Sequence, residues 1–176
     1  MNLISQNCLT GDLNRYHFHT KYSSPFIWTV IAFEDMKKLI TEWNSINFLD
    51  YELLRDENWN FSILIDKKVK IQYVHYKFSP DDKIPRKDGV DIYYSRIWEY
   101  IVEKYEKRIK RMLDRNEAPL FCICNFNTIY KDAIYTDEQL EELSKYSNVL
   151  ILKNCDKLEP AQAANVFYRI FFSHLK

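Results

Sequence analysis

Cys8 is the cysteine of this sequence whose setting suggests chemistry. It falls in a turn between a short predicted strand at Leu3 and Ile4 and a short predicted helix with Thr10 as its N-cap. A thiol at the start of a helix meets the positive end of the helix dipole, which favours the thiolate and lowers the thiol pKa. The sequence therefore predicts a nucleophile at Cys8, although most turn cysteines are inert.

The other three cysteines carry no comparable signal for chemistry. Cys122 and Cys124 belong to one apolar run, and together with Cys155 they fit no C-x-x-C zinc motif. We expect all three to be small, buried and unpaired. The acidic pair at residues 81–82 lies in a lysine-rich loop without a neighbouring histidine, so no metal site is predicted.

A thiol nucleophile needs a base, and His75 is the best of the four histidines. It shares one face of a predicted strand with Val69, Ile71 and Tyr73, so it should point inward. The competing interpretation is a core histidine with no chemical role, which is the commoner case for a single histidine on an apolar strand face.

Two further groups would complete a Cys-His site. Asn125 follows a predicted strand and could hold the imidazole tautomer, with Asn127 and Asp132 as substitutes. The amides of Gln6 and Asn7, just before the cysteine, could help to form an oxyanion hole. The alternative for each of these side chains is ordinary hydrogen bonding within a turn.

A basic helical face is the second candidate feature. Its positively charged members recur at spacings of three and four residues, and they are Lys104, Lys107, Arg108, Arg111 and Arg115. Arg108 and Arg111 could clamp the phosphate oxygens of a nucleotide-sugar, a lipid-linked phosphate or an acyl carrier. The alternative is a solvated face whose charge is balanced by Glu103, Glu106 and Asp114.

Hydrophobic periodicity predicts the elements that must position these residues. Strands are predicted at 3–4, 60–66, 68–78, 120–124 and 149–152, and helices at 34–43, 94–116, 136–145 and from Pro160 onward, with a polar loop over 79–90. The predicted inward residues of the two longest helices are Ile97, Ile101, Tyr105, Ile109, Met112, Ala163, Val166, Phe167, Ile170 and Phe171. The irregular alternation predicts a single α/β (α+β) domain over 1–176, with a small mixed sheet and helices packed on it.

Composition narrows the function classes. The chain of 176 residues has 25 basic and 25 acidic side chains, so bulk electrostatics favours neither nucleic acid nor an anionic membrane as a partner. Only 2 glycines are present, which excludes a G-x-G-x-x-G dinucleotide turn. We find no secretory signal and no apolar run long enough to span a bilayer, and we therefore expect a cytoplasmic chain without an integral membrane segment.

Beyond these patterns, the sequence resembles a known family. Five short segments occur in the same order as in a bacterial exopolysaccharide and capsule-biosynthesis family of unknown biochemistry. They are the run from Ser5 to Cys8, the segment Tyr22-Ser23-Ser24-Pro25-Phe26, the pair His75-Tyr76, the element Arg108-Ile109-Lys110-Arg111 and the helix start Thr136-Asp137-Glu138-Gln139-Leu140. The segment Pro25-Phe26-Ile27-Trp28 is also similar to predicted papain-like cysteine peptidases. The chain departs from the family at Leu9 and Thr10, where members often have Gly or Trp.

The resemblance implies a papain-like cysteine-enzyme domain with Cys8 as nucleophile and His75 as base. It implies acyl transfer in surface-polysaccharide biosynthesis, with a small-molecule or glycan substrate and other polysaccharide-biosynthesis enzymes as partners. No resident cofactor is expected, and coenzyme A is one candidate acyl donor. The alternatives are a non-catalytic binding or assembly subunit of the same pathway, and a cysteine peptidase or amide hydrolase.

Overall fold

A computed structural model of the protein describes residues 2–18, 24–27, 29–55, 61–73, 83–84, 92–93 and 97–174. The described strands are β1 (Asn2–Ser5), β2 (Thr29–Val30), β3 (Tyr51–Arg55), β4 (Phe61–Ile65), β5 (Val69–Tyr73), β6 (Lys83–Ile84), β7 (Ile92–Tyr93), β8 (Pro119–Cys124) and β9 (Val149–Leu152). The described α-helices are α1 (Leu9–Leu13), α2 (Phe33–Glu42), α3 (Ile97–Arg115), α4 (Asp137–Leu143) and α5 (Pro160–Phe171).

A parallel sheet in the order β1-β8-β9 forms the centre of the fold. Strands β8 and β9 are apolar on both faces, as is usual for parallel strands that are covered on two sides. Successive residues of β8 point to opposite faces of the sheet. Phe121 and Ile123 face the larger apolar cluster, which includes residues of α2, α3 and α4. Cys122 and Cys124 face a second cluster, which includes residues of α1 and α5. Helices thus cover both faces of this sheet.

A separate antiparallel sheet in the order β2-β5-β4-β3 packs on the larger cluster. Val69, Ile71 and Tyr73 are buried, as their alternation predicts, and Tyr73 lies opposite Thr29 of β2. The backbone N–H of Ile31 donates to the Gln6 carbonyl at 2.9 Å, which joins the segment after β2 to the segment after β1. The two sheets therefore meet just beyond the end of β1.

The predicted α+β class is confirmed, with five described α-helices, a parallel sheet and an antiparallel sheet. Helix α4 begins at the predicted helix start, where Thr136 and Gln139 exchange hydrogen bonds in a capping box. The inward stripe of α3 is confirmed for Ile101, Tyr105, Ile109 and Met112, which are all buried.

Three details of the prediction are wrong. Strands β2 and β3 are missing from it, because β2 has only two residues and the residues of β3 are half-buried or exposed and alternate weakly. The region predicted as a loop over 79–90 contains the short strand β6, which pairs with β7. Ile170, expected to point inward, is 55% exposed; α5 ends at Phe171, and the buried Phe172 closes that side of the cluster instead.

Candidate functional site

The segment that joins β1 to α1, residues 5–8, is the centre of the candidate site, and we call it the Cys8 turn. It lies at the carboxyl edge of the parallel sheet, where ligands bind in open α/β folds. Ser5, Gln6 and Asn7 are at most 1% exposed. Because buried polar groups are stable only when they are hydrogen-bonded, each of these side chains needs a partner.

Within the turn, side-chain oxygens cap the start of the helix. The Leu9 N–H donates to Asn7 Oδ1 at 3.1 Å, and the Thr10 N–H donates to Ser5 Oγ at 3.2 Å. These bonds satisfy donors that a helix N-terminus leaves without an intrahelical partner. Helix α1 therefore begins at Leu9 with Cys8 at the N-cap position, two residues before the position that the Thr10 prediction assigned.

Gln6 and Asn7 tie the turn to β8. Asn7 Nδ2 donates to the Cys124 carbonyl at 2.8 Å, and the Cys124 N–H donates to Gln6 Oε1 at 3.3 Å. Of the four polar atoms of these amides, only Asn7 Oδ1 bonds within the turn, as the turn-bonding interpretation predicts. Asn7 Nδ2 and Gln6 Oε1 bond to β8 instead. The fourth, Gln6 Nε2, is buried, and it has no hydrogen-bond partner among the residues that the structure describes.

Cys8 is the one cysteine of the four that is not fully buried. Its side chain packs beside Val30, Ala133 and Tyr130. Burial and, to a smaller extent, the nearby Asp12 carboxylate raise the pKa of Cys8 to about 12. The expected low pKa is therefore wrong for this structure, because burial disfavours the thiolate and the negative charge of Asp12 lies one helical turn away.

Asp12 is the neighbour that the sequence interpretation missed. The Asp12 N–H donates to the Cys8 carbonyl at 3.2 Å, so the two residues lie one helical turn apart on the same face. Asp12 is 6% exposed, and burial raises its pKa above the usual value for an aspartate. The sequence did carry a signal for this contact, because Asp12 follows Cys8 by four residues and residues four apart lie on the same face of a helix.

Asn125, predicted to orient the imidazole, binds the backbone of Tyr135 through both ends of its amide. Its Nδ2 donates to the Tyr135 carbonyl at 2.6 Å, and its Oδ1 accepts from the Tyr135 N–H at 3.0 Å. The Tyr135 hydroxyl in turn donates to the Ile31 carbonyl at 2.7 Å. Asn125 therefore fixes the loop between β8 and α4, and both polar atoms of its amide are engaged in doing so.

The two substitutes for Asn125 lie at the surface. Asn127 Nδ2 donates to Glu159 Oε1 at 3.0 Å, across to the start of α5. Asp132 is exposed and lines a cleft of about 120 Å³ that also contacts Val30 and Lys70. Val30 is shared with the surroundings of Cys8, but the cleft is smaller than the roughly 300 Å³ of a typical ligand pocket.

The predicted base, His75, lies outside the described residues. The description of β5 ends at Tyr73, which pairs with Thr29, and the next residue of β2, Val30, packs beside Cys8. The position of His75 relative to Cys8 therefore stays a prediction.

The two arginines of the predicted clamp lie on α3, whose buried residues belong to the larger cluster and not to the clusters that contain Cys8. Arg108 is half-buried and Arg111 is exposed. Beside them, Lys107 forms an ion pair with Glu103, and Tyr51 donates a hydrogen bond of 2.6 Å to Glu106. These contacts fit the solvated-face interpretation for at least part of this helix.

Comparison with known proteins adds no relative. No protein-family model matches the chain, and no match is found among curated proteins or among solved structures. Among the described residues, no group of three or more metal-ligating side chains occurs. No helix in the described part of the chain is long and apolar enough to cross a membrane.

Proposed function

We propose that this chain is a thiol-dependent acyl-transfer enzyme in which Cys8 is the nucleophile. The observation that carries the proposal is the placement of Cys8, a partly exposed residue, on a turn whose neighbouring polar side chains are buried and hydrogen-bonded. A catalytic group needs such support, because a small misplacement of the reacting atom costs much of the rate.

The raised pKa of Cys8 defines how the reaction would begin. The resting thiol is neutral, so a base must remove its proton as the sulfur attacks. We assign this role to His75, which the papain-like resemblance implies. The bond from Cys8 Sγ to the acyl carbon forms, the bond from that carbon to the donor breaks, and the leaving group takes the proton from the base.

Gln6 supplies a candidate stabiliser for the oxyanion of this step. Its Oε1 is held by the Cys124 N–H, while its buried Nε2 has no partner in the described part of the chain. An amide donor in a site of low dielectric is most effective when negative charge develops on the substrate oxygen. The acyl group would then pass from Cys8 to water or to a sugar hydroxyl.

The biological setting of the proposal comes from the resemblance alone. It suggests surface exopolysaccharide or capsule biosynthesis in the cytoplasm, with a glycan acceptor and pathway enzymes as partners. A coenzyme A thioester is the first donor to test, because coenzyme A is a general carrier of acyl groups.

The test is formation of an acyl-enzyme. The full chain is incubated with acetyl-coenzyme A and, separately, with p-nitrophenyl acetate, and intact mass and peptide mapping locate any acetyl group. We expect a thioester on Cys8, its loss in Cys8→Ala, and its retention in Cys122→Ala, whose sulfur is buried in β8. No acetylation with either donor, or acetylation that Cys8→Ala retains, would contradict the proposal.

A second function, a non-catalytic binding or assembly subunit, is favoured by one observation: the acidic neighbour and burial hold the thiol of Cys8 in its neutral form. In that case Cys8 would be part of the packing beside Val30 and Ala133. The acyl-enzyme experiment would then be negative, while phosphorylated ligands would still raise the melting temperature through α3.

A further inference from the structure

Two other cysteines meet at the same edge of the parallel sheet. Cys124 ends β8, and Cys155 lies three residues beyond the end of the neighbouring strand β9. Their sulfurs are in direct contact: Cys124 Sγ donates to Cys155 Sγ, with a separation of 2.6 Å. Cys155 Sγ in turn donates to the Leu152 carbonyl at 3.2 Å. The sequence interpretation treated these residues as separate hydrophobic fillers, and their contact is a property of the fold.

The two thiols are not equivalent. The hydrogen bond from Cys124 is the largest cause that lowers the pKa of Cys155, and the backbone N–H of Asn125 acts in the same direction. The same hydrogen bond and burial raise the pKa of Cys124. Cys155 is therefore the thiol that ionises first, which is the requirement for the attacking partner in thiol–disulfide exchange.

Access also differs between the cysteines. Cys155 is 2% exposed, but it sits in the short connection between β9 and α5, and the residues on both sides of it are exposed. A local opening of this connection would bring its sulfur to solvent without separating the strands. Cys122, by contrast, is buried in the middle of the sheet.

From this contact we infer that Cys124 and Cys155 form an oxidisable dithiol, which a small-molecule disulfide such as oxidised glutathione converts to an intramolecular disulfide. Cys155 attacks one sulfur of the reagent, a mixed disulfide forms, and one reduced thiol leaves with a proton. Cys124 then attacks Cys155 Sγ, the Cys124–Cys155 bond forms, and the second reduced thiol leaves. One reagent disulfide is reduced as the two protein thiols are oxidised.

A reversible cross-link of this kind agrees with the usual role of disulfides in reducing compartments, where they form transiently and serve as redox sensors. It closes a loop with a sequence separation of 31 residues between β8 and the start of α5. Closing a loop removes conformational freedom from the unfolded chain, so the oxidised form should be the more stable one. This inference does not depend on the acyl-transfer proposal, because Cys8 takes no part in it.

The experiment treats the full chain with oxidised glutathione, quenches with acid, alkylates the remaining thiols after unfolding and maps the peptides. We expect a Cys124–Cys155 cross-link that dithiothreitol reverses, a free Cys122, and a melting temperature that rises by roughly 5 °C or more. In Cys124→Ser we expect a stable mixed disulfide on Cys155. In Cys155→Ser we expect neither a cross-link nor a glutathione adduct on Cys124.

Two results would overturn the inference: both thiols alkylated in full after treatment, or a disulfide that joins a different pair. The map of the wild-type chain decides between these results even if a serine variant fails to fold. Glutathione on Cys8 alone, with Cys124 and Cys155 unmodified, also counts against the pair while leaving the proposed nucleophile intact.

Discussion

The Cys8 turn and the outer face of α3 are both rich in polar residues, but those of the turn are buried and those of the helix face are mostly exposed to solvent. In the turn, Ser5, Gln6 and Asn7 are buried and hydrogen-bonded to specific backbone groups. On α3, Arg111 is exposed to solvent. Buried polar groups must find their partners or destabilise the fold, whereas solvated charges can move and be exchanged. Substitutions should therefore separate the two regions clearly.

The largest difference is expected between Asn7→Ala and Arg111→Ala. Removing the Asn7 amide breaks its bonds to the Cys124 carbonyl and the Leu9 N–H, at a cost of about 2–4 kcal/mol in the free energy of unfolding. Arg111→Ala should change that free energy by less than about 0.5 kcal/mol. Urea unfolding of both variants measures the contrast, and similar losses would show that the turn is no more specific than the helix surface.

A similar pair tests the new role of Asn125. Asn125→Ala removes both bonds to the Tyr135 backbone and should cost about 1–3 kcal/mol of stability, while Asn127→Ala, at the surface, should cost less than about 0.5 kcal/mol. Thermal or urea unfolding gives both values. If Asn125→Ala kept full stability but lost acyl-enzyme formation, the original assignment as an imidazole-orienting residue would return.

The pH dependence of Cys8 gives the next effect. Since only the thiolate reacts with iodoacetamide and the pKa is raised to about 12, alkylation of the folded chain should be more than about tenfold slower at pH 8 than that of a peptide thiol. The rate should climb as pH rises toward 12. Rapid alkylation near pH 7 would contradict a neutral thiol and favour a thiolate already paired with an imidazolium.

Asp12→Asn isolates the cause of part of that shift. The carboxylate raises the pKa of Cys8, so its removal should lower that pKa and speed alkylation at any pH below it. The matched control is Asp137→Asn, in the first turn of α4, which should leave the rate unchanged. Equal rates for wild type and Asp12→Asn would mean that burial alone sets the pKa.

The smallest effects are expected for Arg108→Lys and Arg111→Lys. On a solvated face both variants should stay within about 0.5 kcal/mol of wild type. A phosphate clamp would add a second signature, because lysine keeps the charge but loses bidentate geometry. The measurement is the thermal shift of wild type and both variants with coenzyme A, a nucleotide-sugar and sulfate. A rise in the melting temperature of wild type that both variants lose supports the clamp, whereas a rise that both variants keep supports the solvated face.

The sequence predicted the elements well where the hydrophobic period is strong. Ile101, Tyr105, Ile109 and Met112 of the α3 stripe and the start of α4 at Thr136 were predicted correctly, because these signals are local. The candidate site was predicted less well. The place of Cys8 at a strand-to-helix turn was correct, but its pKa depends on Asp12 and on burial by residues from other elements, such as Val30 and Ala133.

The task of Asn125 escaped prediction for the same reason. Its partner Tyr135 is ten residues away, and their pairing depends on the path of the loop between them. The contact of Cys124 with Cys155 depends likewise on the pairing of β8 with β9. Local patterns report helices, strands and caps, but long-range pairings decide what each polar side chain does.

One of these pairings also sets when the turn can form during synthesis. Gln6 and Asn7 bind the backbone of Cys124, which lies 118 and 117 residues further along the chain. A ribosome adds about 5–20 residues per second, so roughly 6–24 s pass between the synthesis of the two halves. The β3–β4–β5 hairpins are local in sequence and can form earlier. The surroundings that bury Cys8 and raise its pKa are therefore completed late, and we expect this thiol to be more acidic on the nascent chain than in the folded protein.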